Sequence, residues 1–152
     1  MNDLQMNLPE GFDPLSLDNQ ICFALYVCSK EIIRKYGPLL DPLGLTYTSY
    51  ITMLSLWEKD GVTVKELGKR LFLDSGTLTP LLKKMETQGL IKRERSKEDE
   101  RTVYIYLTDE GRQMKSKCMY VPQQMSCANI LEMNEAGQLI GILHNMMAHI
   151  QE

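Results

Sequence analysis

The sequence has no Cys-x-x-Cys pair, and its two histidines, His144 and His149, sit far off in the C-terminal segment. Zinc is held by closely spaced thiolates and imidazoles, so a zinc site is not expected, and nothing in the pattern requires a cofactor. No apolar stretch approaches the roughly 18 residues of a membrane span. The N-terminal Met-Asn-Asp-Leu-Gln-Met-Asn lacks a basic region followed by an apolar run, so no secretory signal is expected. A cytoplasmic protein with no membrane partner is expected. In that reducing compartment the four cysteines, Cys22, Cys28, Cys118 and Cys127, are core thiols or redox groups rather than a structural disulfide framework. An excess of positive charge is also missing: the formal net charge is −3, so any nucleic-acid binding must rest on local charge.

What is present is ordinary for one globular domain, with 43% hydrophobic and 24% charged residues in 152. Residues 1–16 hold Pro9, Gly11 and Pro14 without periodicity and read as an irregular arm. A helix is expected from Leu17-Asp18-Asn19, capped by Asp18, with Ile21, Leu25, Cys28 and Ile32 on one stripe. Gly37-Pro38 should disturb it, and residues 41–44 form a connector. Thr46 caps a second helix carrying Tyr50, Met53, Leu54 and Trp57. Thr63-Val-Lys-Glu66 is a capping box opening a third helix. Asp74-Ser-Gly-Thr77 starts a fourth, with an irregular first turn expected at Pro80, and Gly89 ends it. Strands are predicted over Leu90 to Arg95 and Thr102 to Leu107, joined by a charged loop. Thr108 caps a long helix that should kink or restart at Pro122. Asn134 caps the last one, with Leu139, Ile142, Leu143, Met146 and Ile150 as its stripe.

Helix, tight turn, helix and charged two-stranded hairpin in that order describe a winged helix-turn-helix, whose second helix enters the major groove. The exposed start of that helix offers the hydroxyls of Ser75, Thr77 and Thr79, followed by Lys83 and Lys84. The hairpin and its flanks carry Lys92, Arg93, Arg95, Lys97 and Arg101, and an Arg at a narrow tip suits the minor groove. The acids Glu98, Asp99 and Glu100 are placed to orient that Arg. A charge run of this kind is also how an ordinary solvated loop looks.

The run Leu71 to Glu86, with Gly89-Leu-Ile91 and Asp99-Glu-Arg101, strongly resembles the MarR family, and within it the organic hydroperoxide resistance regulators. The likeness extends from about Leu17 to Thr108 and more loosely through the C-terminal helices. It implies a mainly α fold with a small β-hairpin wing, a winged helix-turn-helix (46–108) between dimerisation helices (17–45 and 109–152) in a single 152-residue domain. It also implies a homodimer on a pseudo-palindromic operator of double-stranded DNA. By resemblance Arg101 takes the minor groove and Asp99 holds it.

Asp18-Asn-Gln-Ile-Cys-Phe-Ala-Leu-Tyr26 is a second matching string, in which the resemblance makes Cys22 the thiol oxidised by organic hydroperoxide. The position agrees, since a cysteine near a helix start feels the favourable end of the dipole, and thiolate is the species that reacts with peroxide. The plainer reading is a small buried hydrophobe. Tyr26, one turn on, shares a face with Cys22. The resemblance assigns Tyr36 and Tyr47 to hydrogen bonds with the sulfur. Tyr36 lies about 21 Å along a continuous helix, so such a contact requires a partner subunit. Cys28, about 9 Å along, is too far to form a disulfide with Cys22 in an intact helix. Cys118, Cys127 or a small-molecule thiol remain as resolving groups, and the resemblance points to Cys127. Two other readings stand beside this one: a MarR-type repressor released by a small phenolic or apolar ligand, and a thiol peroxidase using Cys22.

Overall fold

The computed structural model describes residues 11–127 and 130–150, without the side chain of Cys127. A 3-10 turn, Leu17–Asn19, leads into α1 (Ile21–Leu40), and a second, Asp41–Leu43, connects to α2 (Tyr47–Glu58). Then follow β1 (Val62–Thr63), α3 (Val64–Leu71), α4 (Ser75–Thr87), β2 (Ile91–Arg95), β3 (Val103–Leu107), α5 (Asp109–Lys117), α6 (Tyr120–Cys127) and α7 (Met133–Ile150). The architecture is mainly helical with one three-stranded antiparallel sheet, in the order β1-β3-β2. The hairpin register pairs Ile91 with Leu107 and Arg95 with Val103. The strand β1, which pairs Val62 with Ile105, was not anticipated; two residues are too short to show alternation.

Caps explain most of the helix starts. Thr46 Oγ1 accepts the Ser49 N–H and Ser49 Oγ accepts the Thr46 N–H, a closed capping box. The expected box at Thr63 forms too, with Thr63 Oγ1 3.1 Å from the Glu66 nitrogen and Glu66 Oε2 2.8 Å from the Thr63 nitrogen. Thr108 accepts the Gly111 N–H at 3.0 Å. Gly89, φ 75°, turns the chain out of α4, a left-handed conformation that glycine adopts without Cβ strain.

Five local expectations are corrected. Asp18 is not the cap of α1: it lies in the 3-10 turn, closed by Gln20 N–H on the Leu17 carbonyl, and Gln20 stands in the cap position. Gly37-Pro38 does not break α1, which runs through to Leu40. The bond that Pro38 removes belongs to the carbonyl of exposed Arg34, which water can satisfy. For the same reason Pro80, whose lost partner is the carbonyl of exposed Gly76, leaves α4 regular from Ser75. The C-terminal helix does break, but at Cys118-Met119 rather than Pro122. Pro122 clashes with the carbonyl four residues earlier, that of Cys118, and its missing N–H costs nothing in the first turn of α6. Finally, α7 starts at Met133, one residue before Asn134, with the Glu135 carboxylate accepting the Glu132 N–H.

The core joins the end of α1, α2, α3, α4 and the sheet through Leu40, Met53, Leu56, Leu67, Leu78, Leu82, Met85, Ile91 and Ile105. Val121 and Cys118 bring the α5–α6 junction into it. The Tyr120 hydroxyl donates to the Leu39 carbonyl, tying α6 to α1. By contrast α7 has no buried residue, and Leu139, Ile140, Ile142 and Ile150 are all exposed.

Candidate nucleic-acid interface and thiol site

Asp74 sets the start of α4: its carboxylate accepts the backbone N–H of Thr77 at 2.9 Å and the Thr77 hydroxyl at 3.0 Å. Those hydrogen bonds hold the Asp74 carboxyl below its usual range. The Thr77 hydroxyl hydrogen is committed to the cap, so of the three hydroxyls expected to donate to DNA, this one is already occupied. Ser75, Thr79, Lys83 and Lys84 are exposed along the same helix, whose inner side is anchored by buried Leu78, Leu82 and Met85.

The wing follows from β2 and β3. Arg95 ends β2 on the exposed side, and Arg101 lies in the exposed loop. Ser96 N–H bonds the Thr102 carbonyl at 2.8 Å, and Thr102 N–H bonds the Asp99 carbonyl at 2.9 Å, which closes the loop. Asp99 plays a different part from the one expected. Its carboxylate accepts the backbone N–H of Arg101 at 3.0 Å and the Thr102 hydroxyl at 2.9 Å. Asp99 thus shapes the loop that carries Arg101. Among the described residues no ion pair holds the Arg101 guanidinium, and Glu98 and Glu100 do not orient it either.

Two polar junctions that the sequence reading missed fix this assembly. Glu86 on α4 grips Arg93 on β2, with Oε2 2.8 Å from Arg93 Nε. Asp60, after α2, accepts N–H groups from Gly61 and Leu107 and the Arg112 guanidinium at 2.7 Å. Burial pushes the Asp60 carboxyl up, but the bonds from Arg112, Leu107 and Gly61 outweigh it and the pKa is lowered. Residues 63–101 carry ten basic and seven acidic side chains, so this lobe is positive within an acidic chain.

Cys22 is the second residue of α1 and is exposed. No side chain caps this end: the Gln20 amide turns back to the Pro14 carbonyl and Asn19 to that of Asp13. Among the described residues no side chain accepts the backbone N–H groups of this first turn, and such groups favour negative charge. Tyr26, one turn on, is exposed, with Lys30 Nζ 5.4 Å from its ring centroid. Tyr36 and Tyr47 come together, ring centroids 4.9 Å apart, against Tyr50. Burial and the neighbouring Tyr47 raise the Tyr36 pKa, and burial raises that of Tyr50 to about 12. Because α1 is continuous, the fourteen residues from Cys22 to Tyr36 separate the two by about 21 Å, and one chain does not unite them.

Cys28 is exposed on α1, six residues past Cys22. Cys118 is buried at 3% exposure, and burial raises its thiol pKa, both unfavourable for trapping an oxidised partner. Cys127 ends α6, and its side chain lies outside the described residues. Among the described residues no helix is long and apolar enough to cross a membrane.

Residues 34–118 match the family of the transcriptional regulator SarA/Rot. The chain is 54% identical over 111 residues to the organic hydroperoxide resistance transcriptional regulator of Bacillus subtilis (strain 168), covering 73% of this chain and 76% of that protein. The fold is similar to that of reduced AbfR bound to DNA, with TM-score 0.75 and 35% identity over 90% of this chain and 95% of the other. The disulfide form of AbfR, a protein of Staphylococcus epidermidis, has TM-score 0.66 and 34% identity over 90% and 93%.

Proposed function

The chain belongs to the SarA/Rot family of MarR-type transcriptional regulators, and from that footing we propose a DNA-binding regulator, acting as a repressor, switched by oxidation of Cys22. The observation that carries this is the position of Cys22, exposed in the uncapped first turn of α1. Its thiolate attacks the distal oxygen of an organic hydroperoxide. An S–O bond forms, the O–O bond breaks, and the alcohol leaves after taking up a proton, giving a sulfenic acid. The Cys127 thiol of a second subunit then attacks that sulfur, forming a disulfide and releasing water.

A homodimer is part of the proposal. Ile21, Phe23, Tyr26 and Ile33 of α1 and the outer residues of α7 are apolar and exposed, as expected for helices covered by another copy. In such a dimer the partner supplies the Tyr36 and Tyr47 phenols to Cys22, while two copies of α4 enter the major groove of a pseudo-palindrome with Ser75, Thr79, Lys83 and Lys84 facing its phosphates and base edges. Arg95 and Arg101 serve the wings. Cross-chain disulfides would shift the packing of the dimerisation helices and move the two α4 helices out of register.

A mobility shift on DNA from upstream of its own gene, with and without cumene hydroperoxide, tests this. Native protein should bind and be released by peroxide; Cys22→Ser should bind and stay. Release of Cys22→Ser would sink the assignment. Release by a phenolic compound without oxidant would favour the small-ligand reading, and sustained peroxide turnover with excess dithiol would favour an enzyme.

A further inference from the structure

Between the start of α3, the exposed side of α4 and the wing lies an open cleft of about 490 Å³. Its polar walls are Thr63 and Lys65 from the α3 start, Thr79 from α4, and Arg93, Arg101 and Thr102 from the hairpin. Among the described residues no carboxylate is part of its wall. Three of these groups are already engaged. Thr63 donates to Glu66, Thr102 donates to Asp99, and the Arg93 guanidinium is neutralised by Glu86. What remains for a ligand is one ammonium, one guanidinium and the Thr79 hydroxyl, converging from three separate elements. Glu66, adjacent to Lys65 in sequence, points its carboxylate back at the cap of its own helix.

We propose that this cleft seats the sugar–phosphate backbone of one DNA strand, and that Lys65 is a phosphate contact paired across it with Thr79. This rests on the DNA-binding reading above and extends it to a residue outside the recognition helix and the wing. Charge complementarity selects the occupant: the nearby carboxylates of Glu66 and Asp99 are taken up by the Thr63 and Thr102 hydroxyls and by backbone N–H groups, and the two cations and the hydroxyl left facing the cleft suit a polyanion. The apolar floor between them, from Val64, Leu82 and Val103, suits the deoxyribose faces. Such a contact positions the protein without reading sequence, so it acts alike on any duplex.

The test compares native protein, Lys65→Gln and Lys65→Arg by fluorescence anisotropy across a salt series. One duplex is recovered by selecting random sequences on the native protein; the other is its scramble. Lys65→Gln should lower the slope of log K against log salt by about 0.9 on both duplexes, so that its affinity falls about threefold less than that of native protein between roughly 50 and 200 mM salt. Lys65→Arg should keep the native slope, which shows that charge and not folding is responsible. An unchanged slope in Lys65→Gln overturns the proposal. So does a loss confined to the selected duplex, because Lys65 would then be reading bases. If selection on native protein enriches no duplex, the DNA-binding reading itself fails, a result distinct from failure at Lys65 alone.

Discussion

Glu86 on α4 and Arg93 on β2 form a forked contact: one carboxylate oxygen accepts the guanidinium at 2.8 Å, and the other accepts the Arg93 backbone N–H at 3.2 Å. The hinge between recognition helix and wing is thereby closed by a side chain and not by packing alone. Glu86→Gln keeps the shape but weakens the ionic hold. Its stability should fall by only about 1 kcal/mol, the pair being a third exposed, while operator affinity should fall further because the wing loses its angle. Denaturant titration and anisotropy on the same samples separate the two. Equal losses in Glu86→Gln, Arg93→Gln and the double variant would show that the pair acts as one unit.

Asp99 acts on Arg101 through the backbone. Asp99→Ala should therefore loosen the wing loop and weaken DNA binding nearly as much as Arg101→Ala, although Asp99 itself carries the wrong charge to attract DNA. Asp99→Asn, which retains an acceptor oxygen for the Arg101 N–H, should recover most of the loss. Tighter binding by Asp99→Ala, as simple removal of a negative charge predicts, would contradict this role.

Asp60 ties α2, β3 and α5 with three donors. Removing its charge in Asp60→Asn should cost about 1 kcal/mol, because these bonds to an ionised group are only partly shielded from water. The pH dependence has a definite sign. A carboxyl whose pKa is lower in the folded chain stabilises it above the unfolded value, ordinarily 3.8, and that contribution disappears as pH falls through the folded value. Native protein should thus lose stability in acid more steeply than Asp60→Asn, measured by urea midpoints on either side of pH 3.8.

A Cβ at Gly111 would lie 2.1 Å from the Leu90 carbonyl oxygen, so α5 meets the start of β2 backbone to backbone. Trp57 Nε1 donates to the Gly111 carbonyl at 2.9 Å in the same junction. Gly111→Ala favours helix locally, yet should destabilise the protein by about 1–3 kcal/mol through overpacking. A calorimetric midpoint at or above native would show that α5 can move away freely.

Cys127 is proposed to capture oxidised Cys22 of the other subunit. Non-reducing electrophoresis after stoichiometric peroxide should show a covalent dimer for native protein, Cys28→Ser and Cys118→Ser, and monomer alone for Cys127→Ser. Persistence of the dimer in Cys127→Ser would assign the capture to another thiol and leave Cys22 as sensor. Tyr36→Phe and Tyr47→Phe should slow oxidation while leaving operator binding intact.

Local chemistry determined much of this molecule directly. The capping groups Thr46, Thr63, Asp74 and Thr108, the turn at Gly89 and the alternation of Val103, Ile105 and Leu107 each act within a few residues, so the sequence displays them. The order of elements, and with it the winged helix-turn-helix, follows from those signals. So does the place of Cys22 near a helix start, though its shift from Asp18's helix to the uncapped second position of α1 does not. Tertiary structure decided whatever depends on groups distant in the chain. Asp60 meets Leu107 and Arg112, Glu86 meets Arg93, and Lys65 faces Thr79 and Arg101 only once the lobes pack. Packing also set how far Pro38 and Pro80 were tolerated, because a lost backbone bond costs little where its carbonyl reaches water. The HTH turn shows the same rule from the other side. Phe72 takes φ 56°, a left-handed position where glycine would be expected, because the chain on both sides is held by the buried Leu67 and Leu78.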